Sequence, residues 1–378
     1  MKATIQYITG GESHGPAMIA MIRGLPAGFS LDLEKINYQL WRRQQGYGRG
    51  GRMKIEKDKV AVLSGLRGGT TLASPLTLML QNKDYLSWQD KMDPVAADMS
   101  EKVRVPRPGH ADYAGVKKYA FDDIRNVLER ASARETAARI LVGAVCRQYL
   151  EALNIRLYSH VIRLGTVCSE MRACEALLKK ADDSDVRCID ETAAERMRQA
   201  IDAAGAAGDS LGGVFEVCVY GLPAGLGSYV HWDDKLSSMI AAEIMGIQGI
   251  KGIGFGAGFS SADLPGSRYH DEFEIAEGKV LRTSNFAGGL EGGVSNGEIL
   301  SFNAVMKPIP TLTKPLKSFH IESMEEMKAH KERSDTCALP AASVVAENIT
   351  AVPLLNALLS RFGGDTWKNL KARAAGDE

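Results

Sequence analysis

A chain of 378 residues that is 45% hydrophobic can bury a full globular core, in one large domain or two ordinary ones. Basic and acidic residues balance at 46 each, so no net field steers the chain to nucleic acid or a membrane surface, and no apolar run approaches bilayer length. The six cysteines lack CxxC or zinc-type spacing and Met1–Tyr7 lacks an apolar signal core, which predicts a cytoplasmic protein with reduced thiols and no metal site.

In chain order, the first notable segment is the polar glycine turn Gly11-Glu12-Ser13-His14-Gly15. A helical pattern over 31–45 follows and runs into Arg42, Arg43, Arg49 and Arg52 among the glycines at 46–51. Val60–Leu63 and Leu76–Leu80 suit strands. Arg107-Pro108-Gly109-His110-Ala111-Asp112 is a second polar glycine turn with a histidine, and Arg130-Ala131-Ser132-Ala133-Arg134-Glu135-Thr136 reads as a helix entrance. There Ser132 can cap, with Glu135 completing a capping box, and Arg130 and Arg134 are expected one turn apart on a common face.

The helix predicted over 132–152 is apolar on every side, as a helix sandwiched between layers would be. The charged stretch 166–206 is expected to be a peripheral helical insertion. Further helical patterns fall at 192–204, 232–246 and 340–361, with a strand over Val214–Val219. Lys307-Pro308-Ile309-Pro310-Thr311 and Arg333-Ser334-Asp335 are polar turns, and residues 366–378 are expected to form a polar tail.

Two segments repeat. Gly11–Gly15, eight residues, then Gly24-Leu25-Pro26-Ala27-Gly28 returns as Gly208-Asp209-Ser210-Leu211-Gly212, eight residues, then Gly221-Leu222-Pro223-Ala224-Gly225. Gly65-Leu66-Arg67-Gly68-Gly69 returns as Gly289-Leu290-Glu291-Gly292-Gly293, in the same order. Colinear echoes predict an internal duplication with pseudo-repeats at about 4–160 and 207–360. Within it His14 faces Leu211, so the first copy is the better place for chemistry.

A histidine in a tight polar turn is suited to acid–base work, although one alone is more often a capping residue. His14 and His110 both have that setting; His160, His231, His270, His320 and His330 do not. Arginine clusters in a neutral chain point to a small polyanionic ligand, since the guanidinium fork matches carboxylate and phosphate.

The ordered set of Gly-Glu-Ser-His-Gly, the Arg-rich loop near 43–52, Arg-Pro-Gly-His-Ala-Asp, Arg-Ala-Ser-Ala-Arg-Glu-Thr and Gly-Gly-Leu-Glu-Gly-Gly resembles the chorismate synthase family from about residue 4 to about 360. The resemblance implies an α/β (α+β) fold, a β-α-β sandwich of two antiparallel four-stranded sheets enclosing long helices, as a single catalytic domain over 1–365. It implies elimination of phosphate from 5-enolpyruvylshikimate 3-phosphate with reduced FMN and no net redox change, and a homotetramer. In some members NADPH is the reductant, and Arg43 and Arg49 would meet it.

By the same resemblance His14, with Ser13 beside it, would be the acid at the departing phosphate. His110 would keep the reduced flavin in its productive protonation state, and Asp335 would relay the proton. Arg43, Arg49, Arg52, Arg107, Arg134 and Arg333 would hold substrate anions. Arg130, Ala131, Ser132, Gln248, Gly249, Gly292, Lys307, Pro308, Ile309, Pro310, Thr311 and Arg333 would contact flavin. Three places depart from the common family pattern: Ala131-Ser132 for two serines, Gln248-Gly249 for Asn-Ala, and Thr336-Cys337 for Pro-Cys after Asp335.

Overall fold

The computed structural model describes residues 5–50, 57–329 and 335–376. Its first half forms a four-stranded antiparallel sheet in the order β1-β2-β6-β3, from β1 (Gln6–Gly10), β2 (Ala17–Arg23), β3 (Ala61–Ser64) and β6 (Leu76–Gln81). Between β3 and β6, β4 (Leu66–Arg67) and β5 (Thr70–Thr71) make a short hairpin. Strict alternation in β2 sends Met18, Ala20 and Ile22 inward and leaves Ile19 and Met21 exposed, the period-2 signature of a one-sided sheet.

The second sheet has five strands, one more than expected. Its order is β10-β15-β9-β7-β8, from β7 (Arg156–Leu164), β8 (Val167–Cys168), β9 (Gly213–Tyr220), β10 (Ile250–Phe255) and β15 (Leu300–Met306). The extra member is the two-residue β8 at the edge. Hairpins β11 (Phe273–Ala276) with β12 (Lys279–Arg282), β13 (Leu290–Glu291) with β14 (Val294–Ser295), and β16 (Lys317–Phe319) with β17 (Glu326–Lys328) complete the strands.

Leaving β8 aside, the two sheets run in the same order, with β7, β9, β15 and β10 in the places of β1, β2, β6 and β3. The hydrogen bonds recur as well. Thr71 Oγ1 donates to Pro26 O at 2.7 Å and accepts from Phe29 N at 3.0 Å. Ser295 Oγ donates to Pro223 O at 2.6 Å and accepts from Leu226 N at 2.8 Å.

The helix Glu135–Glu151 packs against β1, β2 and β6 of the first sheet, β7 of the second, and the helices Leu33–Gln44, Leu339–Ile349 and Ala351–Phe362. It is buried along nearly its whole length, as its all-round apolar sequence predicts. Gly143 is the crossing point: a Cβ there would sit 2.4 Å from the Asn348 carbonyl oxygen, so only glycine lets the backbones approach. Leu339–Phe362 is long and apolar enough by count to cross a membrane, contrary to the sequence reading, but 94% of its most apolar window is buried in the protein.

That helix also carries a buried carboxylate. Glu347, fully buried, accepts from Arg42 Nη1 and Nη2 at 2.6 and 3.0 Å, from Ser159 Oγ at 2.6 Å, from Arg147, and from Arg187 Nη2 at 3.4 Å. Burial alone would push it up, but Arg42, Arg147 and Arg187 outweigh that and hold it well below the carboxylate range.

Two expectations need correction. Residues 166–206 are not merely peripheral: Val186, Cys188, Ala193, Ala194, Met197 and Ile201 join the main core, and Arg187 is buried against Glu347. Nor is the C-terminal segment a tail. Thr366 caps the helix Trp367–Ala375, Leu370 is buried, and Trp367 sets its ring edge on Phe29 and Tyr149 at 5.1 and 5.7 Å.

Candidate active site

The β1–β2 turn holds Ser13 and His14. Ser13 is buried; its amide donates to Glu129 O at 3.0 Å and its hydroxyl lies 3.0 Å from Ser132 Oγ. Nδ1 of His14 lies 3.0 and 2.9 Å from Oε1 and Oε2 of Glu129, and its Nε2 is 4.0 Å from Asp84. The imidazole stacks on Trp88 at 4.1 Å between centroids.

The capping box does not form. Ser132 Oγ accepts from Arg134 N at 3.2 Å, but Glu135 turns away and takes Thr9 Oγ1 at 2.8 Å and Gln248 Nε2 at 3.1 Å. Residues 130–134 are turn rather than helix, so Arg130 and Arg134 part company. Arg130 reaches Thr9 O and Oγ1, at 3.1 and 2.9 Å. Arg134 goes inward, with Nη1 and Nη2 on Asp58 at 2.7 and 2.8 Å and Nε on Asn82 at 2.9 Å.

Arg43 lies beside that pair, 4.0 Å from Asp58, donating through Nε to Thr136 Oγ1 and through Nη2 to Ala133 O, each at 2.9 Å. Its Nη1 is buried with no hydrogen bond. Burial, against the pull of Asp58 and with Arg134 and Arg49 adding to it, lowers Arg43 to about 9. Arg49 pairs with Asp335 at 2.8 Å. Arg52 and Arg333 lie outside the described residues.

The second histidine turn is equally braced. His110 Nδ1 meets Asp112 Oδ1 at 2.5 Å. Arg107 donates through Nε to Asp112 Oδ2 at 2.9 Å and through Nη1 to Thr311 Oγ1 at 3.1 Å; its Nη2 lies 3.1 Å from both Asp112 Oδ1 and His110 Nδ1. Burial would raise Asp112, yet hydrogen bonds from His110 and Arg107 hold it below the carboxylate range. Lys307 donates to Gly109 O through Nζ and to Gly249 O through its amide, while Gly249 has its backbone in the left-handed region. Gln248 Oε1 is a second buried atom with no hydrogen bond.

One contact network therefore joins segments far apart in sequence: 9–14, 43–50 with Asp58, 82–88, 129–136 and 248–249. The 107–112 turn and 307–311 join through Lys307 and Gly249, and Asp335 through Arg49. Gly292 lies at the tip of the β13–β14 hairpin beside Tyr229. Among the described residues no group of His, Cys, Asp and Glu is placed to hold a metal ion.

Sequence reasoning missed Glu129, Asp58, Asn82, Asp84, Trp88 and Glu135 as site residues. Glu135 and Glu129 had a signal, standing inside and next to the Arg130–Thr136 motif. Asp58 and Asn82 had none, because only the fold brings them to Arg134.

A family model described as chorismate synthase matches residues 5–359. A chorismate synthase of Desulforamulus reducens is 52% identical over 375 residues, covering 98% of this chain and 97% of its own. One of Alkaliphilus metalliredigens is 49% identical over 369 residues, with 97% of each chain covered. A solved crystal structure of chorismate synthase superposes with a TM-score of 0.79 at 36% identity, over 98% of this chain and 96% of that one.

Proposed function

The chain belongs to the chorismate synthase family and is a lyase of the shikimate pathway, and from that premise we propose how its residues divide the work. The reaction removes phosphate and the C6 hydrogen of 5-enolpyruvylshikimate 3-phosphate by anti-1,4-elimination, giving chorismate. We place it in the cytoplasm. The observation that carries the residue assignments is the single network joining His14, His110 and Asp335 with arginines from separate segments.

Reduced FMN fits the residues present. The buried Gln248 Oε1 and Arg43 Nη1 make no hydrogen bond, and at Gly249 the backbone has no side chain to keep a ligand off. Arg130, Ala131, Ser132, Gln248, Gly249, the 307–311 turn, Gly292 and Arg333 would hold it. When bound, it supplies electron density that offsets the charge developing as phosphate leaves. NADPH is the proposed reductant, near Arg43 and Arg49.

Arg43 and Arg49, with Arg52 and Arg333, would take the carboxylates and phosphate of the substrate. Arg107 and Arg134 act differently from the sequence expectation: their guanidinium groups already carry Asp112 and Asp58, so they brace the site. Nε2 of His14 would give its proton to the leaving phosphate. His110, locked on Asp112, holds a proton donor in the ring's reach, and Asp335 carries the C6 proton away.

The recurrent strand order and the matching Thr71 and Ser295 hydrogen bonds support an internal duplication with pseudo-two-fold symmetry, inside one catalytic domain. A homotetramer is part of the same reading. The exposed Ile8, Ile19, Met21 and Leu63 on the first sheet give it an apolar face to cover, and light scattering on the purified protein tests it.

The functional test is anaerobic. Protein, 5-enolpyruvylshikimate 3-phosphate and chemically reduced FMN should yield chorismate and phosphate in equal amounts, and neither with oxidised FMN. Substrate and flavin binding without product would overturn the assignment. NADPH consumption with free FMN and no substrate would identify an intrinsic reductase.

A further inference from the structure

We propose that Glu129 is a positioning residue that fixes the tautomer and direction of the His14 imidazole. The inference rests on the reading of His14 as the acid at the leaving phosphate.

A histidine on a turn has a broad, roughly two-fold χ2 preference, so the loop alone does not decide which ring nitrogen faces the substrate. Glu129 decides it. Its side chain is 1% exposed and gathers donors from two directions: the His14 amide at 2.8 Å on Oε2 and Arg125 Nη1 at 3.3 Å on Oε1. The His14 ring nitrogen Nδ1 lies within 3.0 Å of both oxygens. An ionised carboxylate only accepts, so Nδ1 must carry the hydrogen and Nε2 is left as the atom where a proton comes and goes.

The backbone repeats the clamp, since the Ser13 amide donates to Glu129 O at 3.0 Å. Trp88 stacks on the imidazole with 26° between planes, and the Arg125 guanidinium stands 5.1 Å from the Trp88 ring, so the ring plane is fixed as well. The charged groups facing His14 are Glu129 on Nδ1, Asp84 at 4.0 Å from Nε2, and Arg125 behind Glu129. In role this matches the carboxylate of a serine-hydrolase triad, which orients a histidine without touching substrate.

The first test needs no variant at Glu129. In histidine-15N-labelled protein, with the His14 signals assigned by their loss in His14→Ala, the neutral ring should carry its hydrogen on Nδ1 and leave Nε2 bare. A His14 ring that loses its proton from Nδ1 overturns the proposal.

The second test is kinetic. Acid–base catalysis is worth about 10²–10⁴-fold, so Glu129→Gln should lower kcat at least about tenfold with KM changed by less than about threefold. Added to His14→Ala, it should cost nothing further, because it acts only through that ring. Losses that multiply in the double variant overturn the proposal. If His14→Ala turns over at the wild-type rate, the acid role of His14 falls, and the NMR result alone decides whether Glu129 holds the ring.

Discussion

Oδ2 of Asp335 lies 2.8 Å from Nη1 of Arg49, while its Oδ1 accepts the Gly50 amide at 2.6 Å. The proposed proton carrier is thus paired with a proposed anion-binding arginine, and the two should fail differently. Asp335→Asn should lower kcat at least about tenfold with little change in KM. Arg49→Ala removes a charge-assisted contact worth about 1.5–3 kcal/mol and should raise the substrate KM about ten- to a hundredfold. Anaerobic steady-state kinetics separate the two, and an unchanged KM in Arg49→Ala would remove that residue from substrate binding.

His14→Ala and His110→Ala should each reduce turnover by a few tens-fold or more, the low end of acid–base effects. Wild-type rates in both variants would sink their assigned roles.

Removing the Glu347 carboxylate leaves Arg42, Arg147 and Arg187 buried without their shared partner. Glu347→Gln should therefore cost about 3–5 kcal/mol at neutral pH. The sign with pH follows from a folded-state pKa held below the ordinary 4.5. The carboxylate's contribution is complete above that value and is lost as pH falls toward the lower folded one. Urea denaturation should show the gap between wild type and variant narrowing below about pH 4; a gap that widens there contradicts the mechanism.

Thr71 and Ser295 make the same pair of hydrogen bonds in the two halves. Thr71→Ala and Ser295→Ala should each destabilise by about 1–3 kcal/mol, since each strands a buried amide, that of Phe29 or of Leu226. Markedly unequal losses in chemical denaturation would argue that the two turns are not equivalent.

Ending the chain at Asp365 should lower the melting temperature, because it removes the Trp367 ring from Phe29 and Tyr149 and the Leu370 anchor. Calorimetry reads this, and an unchanged transition would restore the picture of a dispensable tail.

Periodicity and turn chemistry made much of this architecture legible. The all-apolar helix at 135–151, the strands around Val62, Leu78 and Val217, and the paired glycine motifs all follow from local pattern. What stayed hidden depends on distant partners. Ser132 and Glu135 carry capping-box chemistry, yet Glu135 does better with Thr9 and Gln248, groups that only tertiary packing brings near. Arg134 looked like a ligand for anions from outside, but Asp58 reaches it first. Trp367 stood in a polar stretch, and a single aromatic gives no period to read.

The position that holds His14 in the first half holds Leu211 in the second, where the side chain packs on the main core and the backbone forms a parallel bridge with Cys337. That asymmetry leaves an ionisable side chain at this turn in one half and an apolar one in the other. It also divides the burden of mutation. Changes at the first turn will register as lost turnover in a stable protein, whereas changes at the second will register as lost yield of folded protein whose surviving molecules still work.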